Sequence, residues 1–228
     1  MTVLAHVRCV LFDLDGTLLD SAIDLGRAAD EMRVQRGLPS LPDAAYRGSA
    51  GSGARGMLKV AFGLTPADAD FAPLRDEFLL RYEQRMTRTT RAFDGVEPLL
   101  SRLHAGGWAC GVVTNKAARF TLPLTSSLAL FGAAAVIVCG DSTPHLKPHP
   151  ASLLEAQRQL GLSASQCIYV GDDERDMQAG RAAGMRTVAA RYGYLGEGAR
   201  TQDWPADAAI DHPLQLLNLI CQGACVPI

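Results

Sequence analysis

Residues 10–21, VLFDLDGTLLDS, run from a short apolar strand signal into two carboxylates, Asp13 and Asp15, followed at once by Gly16 and Thr17. An Asp-Gly turn explains Gly16 and suits Asp15. It gives no reason for Asp13 to follow Phe12 directly, nor for a second carboxylate so close, because neighbouring like charges repel unless a cation offsets them. A Mg²⁺ ion, which takes carboxylate oxygens and keeps several waters, would relieve that repulsion.

Further apolar, β-branched runs recur along the chain as WACGVVT, AAVIVCG, QCIYVGD, MRTVAA and DAAI. Between most of them lie amphipathic segments of helical length, among them Val96 to Ala105, Pro150 to Leu160 and Arg175 to Ala183. Strands alternating with helices predict an α/β fold, a parallel sheet with helices on both faces. Strands buried on both faces read as nearly continuous apolar runs, as these do.

Residues 18–91 break the rhythm, with several helical patterns and no convincing strand. The segment SAIDLGRAADEMRVQRG opens on Ser21 with Asp24 three residues later, which predicts a capping box, and closes at Gly37 with Pro39 beyond. Further helices are expected over residues 43–47, 54–62 and 66–85. The expected organisation is a core made of residues 1–17 and 92–228 and a helical insert over residues 18–91.

The 228 residues are 48% apolar with a formal charge of -2, which favours a small-molecule ligand over nucleic acid or an anionic membrane. No apolar run approaches the roughly 20 residues of a membrane-spanning helix. The first residues show no basic region leading into an apolar stretch and a small-residue cleavage site, so a cytoplasmic location is expected. Cys9, Cys110, Cys139 and Cys167 sit singly in or beside apolar runs and are expected as reduced core thiols, whereas Cys221 and Cys225 match no common metal or redox spacing.

In open parallel sheets ligands bind beyond the carboxyl ends of the strands. Those ends carry Asp13 and Asp15; Thr114 and Asn115; and Asp172, Asp173 and Asp176 in GDDERDM. The loop after VIVCG adds Lys147 in LKPHP. Each has a local reading as well: Thr114 or Asn115 as a helix cap, Asp172 or Asp173 as another, and Lys147 as a solvated loop residue. Together they supply a carboxylate nucleophile, a second acid or base, metal-binding carboxylates, a hydroxyl and a cation, which is the equipment of phosphoryl transfer. Lys147 is one of three lysines, with Lys59 and Lys116, in a chain that otherwise uses arginine, and a compact ammonium suits a phosphoryl oxygen.

The motifs DLDGT, VVTN, the lysine of LKP and GDDERD resemble the haloacid dehalogenase superfamily, and the resemblance covers essentially the whole chain. It implies a Rossmannoid core with the helical cap of phosphoglycolate phosphatase-like members. It further implies Asp13 as nucleophile, Asp15 as general acid and base, and Thr114 and Lys147 as phosphoryl-binding groups, with Gly16 and Asn115 beside them. Mg²⁺ would be held by Asp13, Asp172, the main-chain carbonyl of Asp15 and, in support, Asp176. Asp15 distinguishes this pattern from carbon-halogen cleavage.

The expected ligand is therefore a small phosphorylated metabolite. RGLPSLP, GVVTNKAARF, RYGYLGEG and WPADAAIDHPLQLL look like the bacterial phosphoglycolate phosphatase group, most of all its branch acting on N-acetylmuramic acid 6-phosphate. Arg55, in the glycine-rich SAGSGARGML, is a candidate for an anionic group of the substrate. A sugar phosphomutase shares the four motifs. A phospho-accepting receiver or a non-catalytic phospholigand-binding protein would use a related set without turnover.

Overall fold

The computed structural model describes residues 4, 6–196 and 198–220. In chain order its elements are β1 (Cys9–Phe12), β2 (Leu19–Asp20), α1 (Ala22–Gln35), α2 (Asp43–Arg47), α3 (Gly53–Phe62), α4 (Phe71–Glu83) and β3 (Arg91–Ala92). There follow α5 (Val96–Ala105), β4 (Ala109–Val113), α6 (Ala118–Ser127), β5 (Val136–Val138), α7 (Ala151–Leu160) and β6 (Cys167–Gly171). The last are α8 (Glu174–Ala182), β7 (Arg186–Ala190), β8 (Ala208–Ile210) and α9 (Gln215–Ile220).

Six strands form a parallel sheet in the order β5-β4-β1-β6-β7-β8, so the expected α/β fold is what the chain adopts. Each apolar run became a strand because both faces of the sheet are covered. On one face Val10, Phe12, Val112, Ile168 and Val170 pack with Leu99 and Leu103 of α5 and Leu216 and Leu219 of α9. On the other, Cys9, Leu11, Val113 and Tyr169 pack with Leu153 and Ala156 of α7 and Ala179 of α8. The period of two that divides β1 between these clusters is that of the strand itself.

The order also fixes where a ligand can sit. From β1 the chain builds β4 and β5 to one side, then returns to build β6, β7 and β8 on the other. The connections from β1 and β6 therefore run on to opposite sides of the sheet, and such a switch point leaves a crevice at the carboxyl ends of the strands.

Helices α1 to α4 pack on one another and continue the first apolar cluster through Leu25, Met32, Met57, Leu58, Phe78 and Tyr82. The last of these helices starts at Phe71 rather than 66, because Thr65 and Asp68 close a turn in which the Asp68 carboxylate accepts the Thr65 amide at 2.7 Å. The two chain crossings on either side of these helices pair as β2 and β3, antiparallel, Leu19 opposite Ala92 and Asp20 opposite Arg91. Each of these strands is two residues long, too short for a period to show, and the helix after β4, α6, carries Pro123 inside it.

Cys9, Cys110, Cys139 and Cys167 are buried free thiols, as expected; Cys221 and Cys225 lie outside the described residues. Among the described residues no helix is long and apolar enough to cross a membrane.

Candidate active site

Asp13 extends β1 by one residue, its N–H donating to the Val170 carbonyl at 2.9 Å, so its side chain emerges at the tip of the central strand. Gly16 then turns the chain at φ +90°, where a Cβ would lie 2.1 Å from an Asp172 oxygen. Only glycine lets the β1 and β6 loops approach this closely. Thr17 uses that proximity, donating its hydroxyl to Asp172 Oδ1 at 2.9 Å.

The acid-rich GDDERD stretch divides its carboxylates by task. Asp173 is the N-cap of α8, accepting the Arg175 N–H, and Asp176 completes a capping box on the Asp173 N–H. Asp172 is thereby free of helix capping and turns into the crevice, where the Tyr194 N–H donates to its Oδ2 at 2.8 Å. Asp13, Asp172 and Asp176 each bring a carboxylate oxygen within 4.8 Å of the others. The Asp15 carboxylate stands apart from that trio.

Lys147 is no solvated loop lysine. It is 4% exposed, and its ammonium lies within hydrogen-bond reach of Asp13 Oδ1 (2.9 Å), Asp176 Oδ1 (2.7 Å), the Tyr169 hydroxyl (2.7 Å) and the Val113 carbonyl (3.2 Å), which share its three N–H donors. Asn115 holds the segment that delivers it: its Oδ1 accepts the Lys147 N–H at 2.8 Å and its Nδ2 donates to the Lys147 carbonyl at 3.0 Å. Both ends of the Asn115 amide thus engage the lysine's backbone, one Nδ2 hydrogen is not used by that pair, and the residue lines the cleft. Thr114 lines the crevice, its oxygen accepting the Lys116 N–H at 3.1 Å and its own proton left to donate outward.

Asp15 has separate partners. Its Oδ1 accepts the Ser21 hydroxyl at 2.5 Å and its Oδ2 accepts the Lys116 ammonium at 2.8 Å. The Lys116 ammonium in turn lies 4.6 Å from the centre of the Tyr82 ring. The capping box expected of Ser21 and Asp24 does not form. Ser21 makes no cap bond because its hydroxyl serves Asp15, and Asp24 instead accepts the Thr89 and Thr90 N–H groups, each at 2.9 Å.

Electrostatics set these groups apart from surface residues. Burial, then the charges of Asp13 and Asp176, pushes the Asp172 carboxyl well above the usual carboxylate range. Burial likewise raises Asp176, to about 6, against the pull of Lys147. For Lys147 burial favours the neutral form, but Asp13 and Asp176 outweigh it and hold the ammonium charged; Asp15 and Tyr82 do the same for Lys116. Three close carboxylates facing one lysine leave net negative charge, and oxygen-only donors suit a hard divalent cation. Asp13, Asp172 and Asp176 therefore fit Mg²⁺.

Above these groups opens a cleft of about 480 Å³ whose far wall is built by the helices between β2 and β3. Leu25, Phe78 and Tyr82 from those helices line it with Phe120 and Leu146, the Tyr82 and Phe120 rings packing with centroids 5.5 Å apart, and Arg55 and Arg75 reach its lining. Arg55 is exposed and has no ion-pair partner among the described residues. Lys116, Ser21, Arg175 and Tyr194 carry no site role in the sequence reading, where Ser21 stands only as a helix cap and Lys116 only as one of three lysines. For Lys116 the scarcity of lysine was a usable signal, whereas Ser21 and Tyr194 meet across 173 positions and left none.

The chain is similar to known proteins in both sequence and fold. The profile of the haloacid dehalogenase-like hydrolase family matches residues 10–190. An N-acetylmuramic acid 6-phosphate phosphatase of Pseudomonas putida is 41% identical over 220 residues, 96% of this chain and 99% of its own. A phosphoglycolate phosphatase of Xanthomonas campestris pv. campestris is 45% identical over 209 residues, 92% of this chain and 94% of its own. Among solved structures, that of a predicted phosphoglycolate phosphatase from Haemophilus somnus superposes with a TM-score of 0.82 at 25% identity, covering 94% of this chain and 98% of that one.

Proposed function

The chain belongs to the haloacid dehalogenase-like hydrolase family, and from that premise we propose that it hydrolyses a small phosphomonoester through a phosphorylated Asp13. The observation that carries the reading is the separation of partners at the end of β1. Lys147 holds Asp13, while Ser21 and Lys116 hold the two oxygens of Asp15, so neighbouring carboxylates face different tasks.

An aspartate, with a reference pKa of about 3.9, is ionised at neutral pH and needs no base to attack phosphorus. Asp13 forms a bond to phosphorus as the ester oxygen departs, and Asp15 gives that oxygen its proton. Asp15 then takes a proton from water as the water oxygen attacks the same phosphorus and the bond to Asp13 breaks, releasing inorganic phosphate. Lys147 and the Thr114 hydroxyl hold the phosphoryl oxygens against the repulsion between anions. Mg²⁺ bound by Asp13, Asp172 and Asp176 would supply further neutralisation of that charge as a Lewis acid.

We assign the core to residues 1–17 and 92–228 and a cap to residues 18–91, a division supported by the pairing of β2 with β3 at the two crossings. The cleft volume falls within the roughly 300–1,000 Å³ typical of sites for drug-sized ligands. Together with its apolar wall, this favours a sugar-sized substrate such as N-acetylmuramic acid 6-phosphate over phosphoglycolate. Four buried free thiols support a reducing, cytoplasmic setting.

Phosphate release from N-acetylmuramic acid 6-phosphate, phosphoglycolate, hexose phosphates and nucleotides, with and without Mg²⁺, tests the reading. Metal-dependent turnover of a small phosphomonoester is expected. A phosphorylated protein that does not turn over would favour a receiver, and conversion to an isomeric sugar phosphate a mutase.

A further inference from the structure

The loop after β7 carries RYGYLG, whose second tyrosine lies against both sides of the site without facing the cleft. Tyr194 is 6% exposed. Its N–H donates to Asp172 Oδ2 at 2.8 Å, while its hydroxyl, at the other end of the side chain, accepts the Ser21 N–H at 2.7 Å and donates to Asp20 Oδ1 at 3.2 Å. Ser21 is fully buried, and among the described residues its N–H has no other acceptor. Its hydroxyl is the group that holds Asp15 Oδ1, and it lies 3.4 Å from the Tyr194 oxygen.

The ring itself is fixed. Phe93 packs against it with centroids 6.1 Å apart, and the Arg47 guanidinium, which also binds Asp20, lies 5.4 Å from its centre. The preceding Gly193 carries the backbone over Asp172, since a Cβ there would lie 2.3 Å from the Asp172 Cβ and 2.4 Å from the Gly16 carbonyl oxygen. So rigidly held a hydroxyl gives Ser21 one position.

We propose that Tyr194 is a positioning residue for proton transfer: its hydroxyl fixes Ser21, and Ser21 aims the Asp15 carboxyl at the departing oxygen. The inference rests on the phosphatase reading above. A hydrogen-bonding chain of this kind restricts the orientation of an acid at little reorganisation cost during reaction. Tyr194→Phe removes the hydroxyl but keeps the ring and the N–H to Asp172, so metal binding and proton transfer separate.

The decisive comparison is between leaving groups. An alkyl oxygen must be protonated as it departs, whereas p-nitrophenolate departs unaided, so kcat/KM for p-nitrophenyl phosphate is blind to the acid. Tyr194→Phe is expected to lower kcat/KM for N-acetylmuramic acid 6-phosphate or phosphoglycolate by about three- to tenfold, the worth of one hydrogen bond. Its kcat/KM for p-nitrophenyl phosphate and its Mg²⁺ activation constant stay at the wild-type values. Ser21→Ala shows the same split, and the double variant is no worse than the poorer single one.

Equal losses on both leaving groups, no loss on either, or additive losses in the double variant would overturn the role. Asp15→Asn serves as the reference. If it shows the split and both single variants do not, the positioning role fails while the phosphatase reading stands; wild-type inactivity on all three esters overturns both. Thermal unfolding of each variant accompanies the kinetics, and should Tyr194→Phe fail to fold, Ser21→Ala decides by the same split.

Discussion

The Lys147 ammonium lies 2.9 Å from an oxygen of Asp13 and 2.7 Å from an oxygen of Asp176, joining the tip of β1 to the first turn of α8 through one buried charge. A lysine this enclosed persists only because those carboxylates surround it. Replacing it by methionine leaves three carboxylates in one crevice with no protein cation bridging them. Lys147→Met is expected to lose about 3–5 kcal/mol of stability, the cost of breaking a buried pair, and to recover part of it with Mg²⁺. Urea unfolding with and without Mg²⁺ checks this. Arginine is not expected to rescue it, because a planar fork does not fit where one compact ammonium meets four acceptors.

The same carboxylates give the metal-free protein a pH dependence. Burial raises Asp172 well above the ordinary range and Asp176 to about 6, so between about pH 4 and 6 the folded state holds protons that the unfolded chain has released. More bound protons in the folded state means that stability falls as pH rises through that window. Thermal midpoints without metal should therefore decline from pH 4 toward pH 6, with a flatter course in Mg²⁺, which stabilises the ionised form. A metal-free midpoint that rises across the window, or one that Mg²⁺ leaves unchanged, contradicts this.

Gly16 is predicted to be intolerant of even one methyl group. Its φ of +90° is costly for other residues, and the added carbon would lie 2.1 Å from Asp172 Oδ2. Gly16→Ala should displace Asp172 and weaken Mg²⁺ activation by about five- to 150-fold, the equivalent of the 1–3 kcal/mol typical of overpacking. Magnesium titrations of activity provide the readout.

Arg55 offers an exposed guanidinium to the cleft. Arg55→Ala should raise KM about two- to fivefold for substrates bearing a second negative charge, as expected for one exposed ion pair, with kcat little changed. The same substitution should leave KM for p-nitrophenyl phosphate unaltered, since that ester carries no second anion.

The residues that could be read from the sequence are those whose role is written in local pattern. The six apolar runs became the six parallel strands because burial on both faces demands continuous apolarity, and Asp13, Thr114 and Asp172 follow from being the next residues at strand ends. Local pattern misled where tertiary contact took over. Ser21 has the side chain of a helix cap but gives its hydroxyl to Asp15, and residues 66–70 look helical but turn around Asp68. Lys116 and Tyr194 depend on partners 101 and 173 positions away, a relation no window of sequence contains.

In the proposed mechanism Asp13 carries the phosphoryl group. Rapid acid quenching of the protein during turnover of p-nitrophenyl phosphate in Mg²⁺, followed by peptide mass analysis, tests it most directly. One added phosphoryl group on Asp13 is expected in the wild type, and in Asp13→Asn neither that adduct nor steady phosphate release. Undiminished phosphate release by Asp13→Asn would contradict it.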